Sequence, residues 1–122
     1  MERVLADSAN RVLREAIRAI SDEGIGIRLV DERRGIVESE FVDVAAVRAT
    51  IDTAGLARQD RLVKFQFRTQ PTFGGTRLVA EALYRPFRQS VRQMERMVGP
   101  DHPGRAVLSD MLQRIEERLR ER

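Results

Sequence analysis

The sequence predicts an α+β domain in which one antiparallel sheet is covered on one face by two helices. Three observations carry that prediction. Residues 61 to 84 alternate apolar and polar on both sides of a Pro71 to Gly75 turn, so a long β-hairpin is expected there. Before it, residues 24 to 42 alternate in the same way around a polar turn. At the two ends lie stretches whose apolar residues recur at three- and four-residue spacing, the signature of helices with one buried face. The chain of 122 residues is most simply one domain, residues 1 to 122, long enough to bury a core without disulfides or metals.

Taken in order, Met1 to Ala6 has no apolar region long enough for a signal peptide. Asp7 or Ser8 can cap a first helix that buries Val12, Leu13, Ala16, Ile17 and Ile20, turns Arg11, Arg14, Glu15 and Arg18 to solvent, and ends at Gly24. Gly24 to Val30 then reads as a half-buried strand with Ile25, Ile27 and Leu29 inward. Asp31 to Gly35 is a turn, and Ile36 to Val42 is the second strand, with Val37, Ser39 and Phe41 opposite Glu38 and Glu40. Residues 43 to 60 read as an irregular connection with room for a helical turn, since Thr53-Ala54-Gly55 interrupts any regular element.

The hairpin follows, Val63, Phe65 and Phe67 buried and Lys64, Gln66 and Arg68 outward, with Leu78, Ala80, Ala82 and Tyr84 on the returning strand. Arg85-Pro86 ends that strand because proline cannot donate to a ladder. A short helix is expected over Ser90 to Val98, and Gly99 to Gly104 stops it. From Arg105 a last helix aligns Val107, Leu108, Met111, Leu112, Ile115 and Leu119. The predicted architecture is therefore a four-stranded antiparallel meander with N- and C-terminal helices packed on one face. On the other face Arg28 would lie near Glu38 and Glu40, these near Lys64 and Arg68, and those near Glu81 or Arg77, so that neighbouring strands alternate in sign.

Composition narrows the chemistry. Without cysteine the chain has no disulfide, thiolate nucleophile or cysteine-bound zinc, and His102 alone cannot build a multi-histidine metal site. No metal ligand set and no cofactor are expected. The pI of about 10.4 invites an anionic partner, yet the formal net charge is only +3. Only Lys64 among the 22 basic residues is a lysine, so the high pI reflects arginine's high pKa. Phe65 and Phe67 also face away from Lys64 and Arg68, whereas single-stranded nucleic acid needs aromatic and basic groups on one surface.

For acid–base work the best pair is Glu38 with Glu40, but a solvated strand face is the plainer reading. Asp31, Glu32, Asp43 and Asp60 lack the spacing of a calcium loop. His102, between two prolines, reads as a loop or helix-start residue, and Gly74-Gly75-Thr76 joins strand to strand rather than opening a phosphate-binding helix. No catalytic residue is expected. The candidate binding residues are Phe73, Tyr84 and Phe87, large aromatics near the turn or strand end.

The order of helix, Gly24-Ile25-Gly26-Ile27, Asp31, Gly35-Ile36-Val37, Arg61 to Phe65 and Gly74-Gly75-Thr76-Arg77-Leu78 resembles the small helix-grip domains of bacterial envelope lipoproteins, the BamC-like group and related secreted proteins. The resemblance spans roughly residues 8 to 120 and rests on turns and alternations. It implies a non-catalytic periplasmic domain, tethered through a lipidated cysteine, that binds other envelope proteins. This sequence has neither the cysteine nor a signal peptide, so a periplasmic or envelope location requires an export signal outside it, and the chain is otherwise expected to be cytoplasmic. No functional residue is carried over. The expectation is a protein-interaction module of the envelope. Two alternatives stand beside it: a cytoplasmic arginine-rich nucleic-acid-binding domain, and a small-ligand-binding domain with its pocket between sheet and helices.

Overall fold

The computed structural model describes residues 1–48, 55–56, 58–85 and 95–121. It is an α+β fold with an antiparallel sheet and three helices. The strands are β1 (Glu2–Leu5), β2 (Ile27–Asp31), β3 (Ile36–Ser39), β4 (Val42–Asp43), β5 (Leu62–Thr72), β6 (Gly75–Tyr84) and β7 (Arg96–Met97); the helices are α1 (Ala9–Asp22), α2 (Val44–Val47) and α3 (Pro103–Arg120). The main path through the sheet is β1-β6-β5-β3-β2, with β4 added to β5 and β7 to β6. The predicted meander survives as β2-β3-β5-β6, but among the described residues the sheet has seven strands, so four is corrected to seven.

Each addition has a local cause. Glu2 to Leu5 pairs in antiparallel register with Val79 to Thr76, and the Met1 ammonium donates to the Ala80 carbonyl at 2.9 Å. Four residues are too few to show an alternation in sequence, and β6 supplies the ladder they complete. Arg96 and Met97 pair with Tyr84 and Leu83, which makes a strand where a helix over Ser90 to Val98 was expected; residues 90–94 of that helix lie outside the described residues. Asp43 caps α2 by accepting from the Ala45 N–H at 2.9 Å, which gives the 43 to 60 connection the helical turn its sequence allowed.

The core lies between the sheet and α1 and α3. Ser8 caps α1, with its hydroxyl accepting from the Arg11 N–H, and Val12, Leu13, Ala16, Ala19 and Ile20 are buried. They meet Val63, Phe65 and Phe67 from β5, Leu78, Ala80 and Ala82 from β6, and the whole predicted stripe of α3. Two α1 assignments change. Ile17 is only partly buried, and Glu15, expected in solvent, is 6% exposed because α3 crosses there and brings Arg118 to 3.7 Å, with Arg18 at 3.3 Å. On the outer strand Leu29, expected inward, is exposed. A bulge lets both Arg28 and Leu29 face Glu38, so the alternation slips by one residue.

The β5–β6 hairpin turns through Phe73-Gly74. Gly74 takes φ +89 while Phe73 keeps a negative φ, the sign pattern of a type II turn, which glycine alone adopts readily. Gly75 answers a different need: a Cβ there would lie 2.0 Å from the Leu5 carbonyl oxygen and 3.0 Å from its carbon. Both obstacles are backbone, so Gly75→Ala must push β1 off β6. It should destabilise the protein by about 1–3 kcal/mol in urea unfolding, and an unchanged midpoint would show that β1 is not seated as described.

Candidate functional site

Two places could do chemistry or binding: a charged cluster around Lys64 on the outer face of the sheet, and the hairpin tip. Lys64 points outward from β5, as its alternation requires, yet it is only 3% exposed, so its expected solvation is corrected. Its ammonium donates to Glu38 Oε1 at 2.6 Å and lies 2.5 Å from Glu95 Oε1. The sheet register sets up the first contact, because β3 places Glu38 opposite Gln66, one side-chain repeat from Lys64 on the same face. The second depends on β7, which returns beside β6 where Leu83 pairs with Lys64. The Phe41 ring closes the cluster, with its centroid 5.7 Å from Lys64 Nζ and 4.7 Å from the Arg85 guanidinium.

Burial pushes the Glu38 carboxyl upward, but hydrogen bonds from Lys64 and Gln66 and the charges of Lys64 and Arg28 together outweigh it and hold the group below its ordinary value. Glu38 therefore stays ionised at neutral pH. A general acid needs the opposite shift. Glu40 is exposed, lies beyond the end of β3 and donates its N–H to the Gly26 carbonyl at 2.8 Å. The candidate carboxylate pair is thus divided between one residue committed to an ion pair and one in solvent. What the cluster does is clamp β3, β5 and the approach to β7 together.

His102 is similarly occupied. It caps α3, with Nδ1 accepting from the Gly104 N–H at 2.9 Å and Nε2 facing the Asp60 carbonyl at 2.6 Å. These partners require the neutral tautomer that carries its proton on Nε2. Its ring stacks on Tyr84 with centroids 6.3 Å apart. Two of the carboxylates considered for calcium have partners too: Asp31 accepts from the Arg34 N–H at 3.0 Å, and Asp43 caps α2. Among the described residues no cluster of His, Asp or Glu could hold a metal ion, and no helix is long and apolar enough to cross a membrane.

The three aromatic candidates do not form one patch in the described structure. Phe73 stands at the apex of the hairpin with its side chain fully in solvent, preceded by exposed Gln70, Pro71 and Thr72. Tyr84 lies at the far end of β6, partly buried against the core. Ten residues of strand separate them, about 30 Å. Phe87 lies outside the described residues. The arm bearing Phe73 is held at its base: β1 pairs with β6 up to Thr76, and Thr69 on β5 donates its N–H to the Gly35 carbonyl at 2.8 Å. Sequence alternation placed Phe73 in the turn, but its isolation from Tyr84 follows only from the strand's length.

Compared with known proteins, the chain matches no family model and no curated relative.

Proposed function

We propose that this is a non-catalytic domain of a bacterial envelope protein that binds another protein through the β5–β6 hairpin tip. One observation carries the reading: a phenylalanine wholly exposed at the apex of an arm fixed at its base. A bare aromatic ring on a rigid support loses little conformational freedom on docking and fits the kind of pocket that dominates protein interfaces. The envelope placement rests on the resemblance to helix-grip lipoprotein domains.

The same structure gives less support to the two alternatives. Among the described residues eleven arginines are in ion pairs with carboxylates, which spends the charge a nucleic acid would need. Between sheet and helices, the space a small ligand would need is occupied by buried Phe65, Phe67 and Leu112, with Ile17 packed against them.

A photo-crosslinking residue introduced at position 73 in the source cells tests the proposal. It should give a discrete protein adduct in the envelope fraction, and one at exposed Gln113 on α3 should not. No adduct at 73, the same adducts from both positions, or an adduct confined to the cytosol would overturn it. Recovery of RNA or DNA, with affinity falling steeply as salt rises, would favour the nucleic-acid reading instead.

A further inference from the structure

We propose that β2 is a self-association edge through which two copies of this chain pair antiparallel and extend the sheet across a two-fold axis. Among the described residues β2 ends the strand order, and its ladder to β3 uses one side only. Such an edge templates another strand unless it is blunted. Along it Leu29 is 44% exposed on the outer face and Val30 is 41% exposed on the helix side. Among the described residues Arg28 has no carboxylate within ion-pair distance, and its charge reaches Glu38 only through space. Asp31 accepts from the Arg34 N–H at 3.0 Å through Oδ1, while its Oδ2 faces the largely solvated Arg34 guanidinium at 3.8 Å and is open to a closer cation.

Symmetry restricts the register. An antiparallel pair related by a two-fold keeps each face on the same side, so one residue must lie opposite its own copy. Centring on Leu29 would set Asp31 against Ile27 and Arg28 against Val30, with charges opposing apolar groups. Centring on Val30 sets Val30 against Val30 and Leu29 against the second copy's Asp31. The bulge puts Arg28 beside Leu29 on the same face, so each Arg28 also meets the second copy's Asp31. The edge is self-complementary in that register: an apolar pair on the axis and two reciprocal ion pairs flanking it. On β1, the other end of the path, the charges are already committed to close ion pairs, Glu2 with Arg77 and Arg3 with Glu116. The second copy is therefore assigned to β2.

Sedimentation equilibrium on the intact chain tests this. The wild type should dimerise reversibly. Arg28→Asp and Asp31→Arg should each raise the dimer dissociation constant roughly tenfold or more, and the two together, which restore opposite charges, should recover it. Because the chain has no cysteine, Val30→Cys should oxidise to a single disulfide-linked dimer, and Gln113→Cys should not. Circular dichroism confirms that each variant is folded. A wild type that stays monomeric up to its solubility limit, a dimer indifferent to both charge changes, or a Val30→Cys protein that does not cross-link would overturn the proposal.

Discussion

Phe67→Ala is expected to cost about 3–5 kcal/mol, enough to consume much of the 5–15 kcal/mol that holds a domain of this size together. Phe67 lies on β5, between Val37 of β3 and Ala80 of β6, and its ring is fully buried beneath the helices. Small neighbours such as Ala16 and Ala80 cannot grow into the vacated volume, so a cavity remains. Urea unfolding should show a large fall in midpoint with an unchanged slope. Phe73→Ala, which removes the same side chain from solvent, should change stability by less than about 0.5 kcal/mol. A small effect at Phe67 would mean that the core is not organised around β5.

Lys64→Ala is the second large effect, through electrostatics rather than packing. Removing the ammonium leaves Glu38 and Glu95 facing each other across a poorly solvated site, and breaking such a buried arrangement costs about 3–5 kcal/mol. Combining Lys64→Met with Glu38→Gln and Glu95→Gln removes all three charges and should recover most of the loss.

The pH dependence follows from Glu38. Its folded pKa is held below the ordinary 4.5, so the unfolded chain takes up the proton first as pH falls. The stabilisation is complete above the unfolded value and is lost as pH drops through the folded one. The stability gap between wild type and Glu38→Gln should therefore be constant near neutrality and shrink in acid below about pH 4.5. A gap that widens in acid would contradict the described pairing.

How much of this was legible in the residues depends on the range of the interactions involved. Period-two alternation identified β5 and β6, and three-and-four spacing identified α1 and α3, because each pattern is complete within its own segment. Leu29 was misplaced because a bulge inserts one residue, and a single slip reverses every later assignment along the strand. β1 and β7 were missed because four and two residues carry no period of their own; both exist only because β6 offers them a ladder. The burial of Lys64 had no local signal at all, since its second carboxylate comes from Glu95, thirty-one residues away. The hairpin tip was readable as a turn from Pro71 and Gly74, and the exposure of Phe73 follows from its place at the apex.

On the proposed function, binding resides at Phe73 while the Lys64 cluster serves the fold. This division is tested most directly by measuring affinity for the protein captured at position 73, alongside thermal unfolding, for two variants held well below their melting temperatures. Phe73→Ala should weaken binding by about tenfold or more with an unchanged melting temperature, and Lys64→Ala should lower the melting temperature while the affinity of the folded protein stays the same. Undiminished binding by Phe73→Ala, or its loss in folded Lys64→Ala, would contradict it.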